Sequence, residues 1–132
     1  MSESFVAELR HPILVIEDEA AVGEFLRLAL ERHGYRVVLS TSAADGLSLL
    51  SSREFRGVIS DVRTPGAISG VEVQEWLLRN RPALAARFLF ITGDTASSQT
   101  TLLLAEAKTP CIEKPFRLQK FLATVEETIG RP

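Results

Sequence analysis

The chain has 132 residues, 45% hydrophobic and 24% charged, with 15 Lys and Arg against 17 Asp and Glu and a formal net charge of −2. That length suits one domain with one core, and the charge excludes any global electrostatic drive toward nucleic acid or an anionic membrane. No apolar run approaches the roughly 20 residues of a membrane span, the start MSESFVAELRHP lacks the pattern of a signal peptide, and the lone Cys111 forms no internal disulfide, which suits a reducing cytoplasm.

His11-Pro12 introduces Ile13-Leu14-Val15-Ile16, a continuous apolar run of the kind a strand covered on both faces shows. Val22, Phe25, Leu26, Ala29 and Leu30 then recur at helical spacing, and His33-Gly34 supplies the stop. Tyr35 to Leu39 is a second strand. Ser42 caps a helix through about Ser51, with Ala43, Leu47 and Leu50 on one face. Gly57 to Ser60 is a third strand that ends at Asp61. After a loop from Val62 to Gly70, a helix begins near Val71, turns Val73, Trp76 and Leu77 inward, and finishes close to Arg81, because Pro82 disfavours helix in the residue before it.

Phe88 to Ile91 is a fourth strand, followed by Thr92-Gly93-Asp94. A further helix starts near Thr95 or Ala96 and includes Leu102 to Ala107; its Leu102-Leu103-Leu104 run cannot all face inward and hints at partner docking. Pro110-Cys111-Ile112 is a short fifth strand, placed at an edge by its leading Pro. The last helix turns Leu118, Phe121, Leu122, Val125 and Ile129 inward and stops at Gly130. Uninterrupted alternation of this kind predicts an α/β fold, a single doubly wound (βα)5 domain over residues 1–132 with its core at about 12–129.

In an open parallel sheet, ligands bind outside the carboxyl ends of the strands. The first strand delivers Glu17-Asp18-Glu19 there, the third Asp61, the fourth Thr92 and the fifth Glu113-Lys114-Pro115. Carboxylates, a hydroxyl and an ammonium therefore converge on one mouth. Taken singly, the acidic triplet reads as a helix-start charge, Thr92 as a turn residue and Lys114 as a solvated loop charge. Asp61 is harder to explain so, because a carboxylate after a buried strand is costly unless partnered. A flavodoxin-like nucleotide or flavin binder is weaker, because the loop after the first strand lacks the Gly and Ser that cradle phosphate.

The pieces ILVIEDE, VISDVRTPG, FITGD and IEKPF, in this order, resemble the receiver domain of two-component response regulators. That resemblance implies the flavodoxin-like strand order 2-1-3-4-5 and Mg²⁺-dependent phosphorylation of Asp61 by a histidine kinase or a histidine phosphotransfer protein. It implies that Asp18, Asp61 and the backbone carbonyl of Arg63 bind Mg²⁺, with Glu17, in place of the commoner Asp, acting through a metal-bound water. Thr92 and Lys114 would each contact a phosphoryl oxygen, and Pro115 would follow a cis peptide bond. The implied output is protein contact, through the face made by the Leu102–Ala107 helix, the fifth strand and the last helix. Neither direct nucleic-acid binding nor membrane insertion is implied, a homodimer is allowed, and only Gly130-Arg131-Pro132 follow the domain.

Three positions depart from the family pattern. Cys111 stands where an aromatic is usual, Thr64 where Met or Leu is usual in a loop one residue longer than the common form, and Arg63 lies close to the phosphoacceptor. The longer loop, with ARFLFITGD and TPCIEKPF, is most similar to receivers at the C-terminus of hybrid sensor histidine kinases. The same departures motivate an alternative, an interaction module of receiver shape that works without phosphorylation. Elsewhere plain roles suffice: Cys111 as a small core residue, His33 complementing a helix dipole, His11 preceding the first strand and Trp76 as packing.

Overall fold

A computed structural model describes residues 10–62, 69–93 and 109–132. Its elements, in chain order, are β1 (Ile13–Ile16), α1 (Ala20–His33), β2 (Val37–Ser40), α2 (Ala43–Ser52), β3 (Gly57–Asp61), α3 (Gly70–Asn80), the single turn α4 (Pro82–Ala85), β4 (Phe88–Thr92), β5 (Cys111–Glu113) and α5 (Leu118–Ile129). The five strands form one parallel sheet in the order β2-β1-β3-β4-β5, as expected. Arg63, Thr64, Asp94 and the helix expected between Thr95 and Ala107 lie outside the described residues.

The apolar runs are explained by two cores, one on each face of the sheet. Successive strand side chains point to opposite faces, so Leu14, Ile16, Val58, Phe88 and Phe90 meet residues of α2 and α3, among them Leu50, Val73 and Leu77. Ile13, Val15, Ile59, Leu89 and Ile91 meet Leu26 and Leu30 of α1 and Phe121, Val125 and Ile129 of α5. Every residue of β1, β3 and β4 is buried for this reason. Trp76 packs against the first core from a partly buried position.

Local signals set most boundaries. Gly34 ends α1 at φ 113°, a left-handed conformation that a Cβ disfavours. Ser42 caps α2 by accepting the Asp45 N–H at 3.1 Å. Ser69 and Glu72 form a capping box at the start of α3. Pro82 ends α3 and then opens α4 at a first-turn position, where its missing N–H costs nothing.

Four expectations need correction. Phe25, at helical spacing with the apolar residues of α1, and Leu118, assigned to an inward face, are 49% and 42% exposed. α1 buries the stripe Gly23, Leu26, Ala29 and Leu30 against the sheet, and Phe25 lies to one side of it. Leu118 is the first residue of α5, one turn before Phe121 reaches the core. β2 begins at Val37, because Tyr35 is turned under the sheet to donate its hydroxyl to the Gly130 carbonyl at 2.5 Å. β5 is displaced by one residue and pairs through Cys111 to Glu113, at the sheet edge where it was expected.

Candidate functional site

The carboxyl ends of β1, β3, β4 and β5 lie side by side because the sheet is parallel and in register. Ile16 pairs with Ser60, Asp61 with Ile91 and Thr92 with Glu113. Glu17 and Asp18 leave β1 next to Asp61, and Lys114 leaves β5 just beyond Thr92, whose carbonyl accepts the Lys114 backbone N–H at 2.7 Å. Carboxylate oxygens of Glu17, Asp18 and Asp61 lie within 4.8 Å of one another. Glu17 is buried, Asp18 is exposed, and Asp61 and Thr92 are 8% and 1% exposed.

Lys114 holds this group together. Its ammonium donates to Asp61 Oδ2 at 3.0 Å and to Glu17 Oε2 at 3.1 Å. The peptide bond that follows, Lys114-Pro115, is cis, in agreement with expectation. Glu17 Oε1 accepts the Glu19 backbone N–H at 3.2 Å, so both oxygens of Glu17 have protein partners. Burial pushes the Glu17 carboxyl above its usual value, against the pull of the Lys114 hydrogen bond. Burial lowers the Lys114 pKa, but hydrogen bonds and charge from Asp61 and Glu17 outweigh it and leave it raised. The ammonium therefore stays charged across the physiological range.

By formal charge, three carboxylates against one ammonium give this partly buried pocket a net −2. Hard oxygen donors at this separation, one of them open to water, suit a divalent cation such as Mg²⁺, which keeps several waters and takes few protein ligands. The arrangement fits such an ion, and charge balance favours it.

Two features of the site were missed in the sequence. Gly70 abuts the carboxyl end of β3, where an added Cβ would clash with the Asp61 carbonyl oxygen and stand 2.7 Å from Ser60 Oγ. Its N–H also donates to the Val62 carbonyl at 3.1 Å. Only glycine lets α3 start this close to Asp61, and the Ser69-to-Glu72 spacing of the capping box was the readable signal. Gln74, one turn along α3 and 4% exposed, donates to Thr109 Oγ1 ahead of β5. The plain role given to His33 is incomplete, since its Nε2 lies 2.8 Å from Glu126 Oε1 and its ring stacks beside Tyr35. Cys111 is half-buried against the α2–α3 core, and burial, with added repulsion from Glu113 and Asp61, pushes its thiol up to about 11. That chemistry suits packing and not nucleophilic attack.

The family model of the response regulator receiver domain matches residues 13–126. Transcriptional regulatory protein FixJ of Azorhizobium caulinodans is 33% identical over 120 residues, covering 91% of this chain and 56% of that protein. The transcriptional regulatory protein YkoG of Bacillus subtilis is 30% identical over 117 residues, covering 89% of this chain and 50% of that one. The chain thus spans about half the length of the curated relatives it matches. Among solved structures, the non-phosphorylated HemR receiver domain from Leptospira biflexa is 32% identical with a TM-score of 0.77, covering 92% of this chain and 98% of that one. The chain belongs to the response regulator receiver domain family, and its role is that of a phosphoacceptor domain in two-component signalling.

Proposed function

We propose that Asp61 is the phosphoacceptor, and that it takes its phosphoryl group from the phosphohistidine of a histidine kinase or a histidine phosphotransfer protein. The observation that carries this reading is the Lys114 ammonium seated between Asp61 and Glu17 at the mouth of the sheet. An Asp61 carboxylate oxygen attacks phosphorus, the P–N bond to the donor imidazole breaks, and an acyl phosphate remains on Asp61. Lys114 then exchanges a carboxylate partner for a phosphoryl oxygen, and the Thr92 hydroxyl donates to another.

Asp18 and Asp61 would hold Mg²⁺ directly, joined by the Arg63 carbonyl, which lies outside the described residues. When bound, the ion neutralises the charge that develops on the phosphoryl oxygens. Glu17, with both oxygens engaged, serves through water and through its hold on Lys114.

The altered pocket then shifts β5 and α5, which together with the expected Leu102–Ala107 helix, outside the described residues, present the changed surface to a downstream protein. We place this work in the cytoplasm, where a lone thiol such as Cys111 stays reduced; no helix among the described residues is long and apolar enough to cross a membrane. Cys111 in place of an aromatic, with the ARFLFITGD and TPCIEKPF segments, supports the finer reading of a receiver from a hybrid sensor kinase.

Intact-mass measurement after incubation with acetyl phosphate tests the assignment. We expect one added phosphoryl group, not incorporated when Mg²⁺ is chelated before the donor is added and absent in Asp61→Asn. Equal incorporation in that variant would assign the phosphate to another residue.

A further inference from the structure

Among the described residues, four large apolar side chains are strongly exposed, and three of them, Phe25, Leu28 and Leu118, lie on the face shared by α1 and α5. The fourth, Leu78, stands alone on α3. Leu122 lines the groove between these helices, and a second groove continues through Phe25 to Pro115 and Phe116 beside Lys114. One apolar band therefore runs down this side of the domain, and contiguous apolar surface of this kind marks an interaction site.

The charges on α1 indicate what covers it. The outward residues Ala21, Phe25, Leu28 and Arg32 follow steps of four, three and four, the spacing of a helix–helix seam. Arg27 bonds both Glu24 and Glu31 within its own helix, so the α1 face carries two acids and, with Arg32, two bases. Acidic Glu24 lies four residues before Leu28 and basic Arg32 four residues after it. A second α1 laid antiparallel about a twofold axis at Leu28 sets Leu28 on Leu28 and each Glu24 beside the other copy's Arg32. A parallel arrangement would oppose like charges.

We propose that the α1–α5 face pairs with a second copy of this chain, through antiparallel α1 helices crossing at Leu28. Such an interface is isologous, the form that closed dimers take. It shares α5 and Phe116 with the surface proposed above for signal output but is centred on α1, and it does not depend on Asp61 accepting phosphate.

Sedimentation velocity across a concentration series up to about 200 μM, without phosphodonor, tests the pairing. We expect a dimer that Leu28→Glu weakens by roughly a hundredfold or more, since it buries two like charges at the axis. Glu24→Arg and Arg32→Glu should each weaken it by roughly tenfold, and the double charge swap should restore it. Circular dichroism melts of these exposed-position variants confirm folding. A monomer throughout the series would overturn the proposal, as would indifference to Leu28→Glu or failure of the double swap to restore pairing. So would a monomer in which Leu28→Glu instead slows phosphorylation by a protein donor, a result that gives the face to that donor.

Discussion

Individual side chains in this domain are controlled by what surrounds them more than by their type. Glu17 and Asp18 are neighbours in sequence, yet one is buried with both oxygens engaged and the other is open to solvent. Their roles separate accordingly: Asp18→Asn should cost Mg²⁺ affinity directly, whereas Glu17→Gln should mainly loosen Lys114. Magnesium titration followed by NMR shifts would show the first variant losing more affinity. Cys111 gives a pH prediction with a definite sign. Its folded pKa of about 11 lies above the ordinary 9.0, so its contribution to stability is complete below pH 9 and is lost as pH rises through 11. Alkylation by iodoacetamide at pH 8 should accordingly run about a hundredfold slower than in the urea-unfolded chain. Equal rates would mean that the thiol is not buried in solution.

At the scale of elements, the contact between α3 and β3 is the least tolerant of change. A methyl group at Gly70 meets backbone, at the Asp61 carbonyl, and cannot be accommodated by a rotamer change. Gly70→Ala should cost about 1–3 kcal/mol by overpacking and should slow phosphorylation by displacing Asp61. Urea denaturation and acetyl phosphate kinetics measure the two effects. At α2, Ser42→Ala removes a cap from an exposed helix start and should cost about 1 kcal/mol with phosphorylation unchanged. The contrast separates a stabilising contact from one that also places the nucleophile.

Across the whole molecule, the strands and their order follow from patterns that the residues carry locally. The ILVI and FLFI runs are apolar throughout because cores lie on both faces, and the polar residues that end them lie at one edge because the strands are parallel. That is why Glu17, Asp61, Thr92 and Lys114 could be named together from the chain alone. The bonds between them were less legible, since Lys114 reaches Asp61 across 53 residues and Glu17 across 97, distances at which no spacing rule operates. Exposure of Phe25 was illegible for a related reason, because helical periodicity shows that a face is apolar but not which edge of it a neighbouring helix leaves uncovered.

The central claim is that phosphate on Asp61 is sensed by Thr92 and Lys114 at the ends of the next two strands. Amide NMR spectra with Mg²⁺, before and after addition of beryllofluoride as a phosphoryl mimic, test it most directly. The account predicts shifts concentrated at Thr92, Gly93 and Lys114 to Phe116, all abolished by Asp61→Asn. Unchanged spectra in the wild type, or the same shifts in Asp61→Asn, would contradict it.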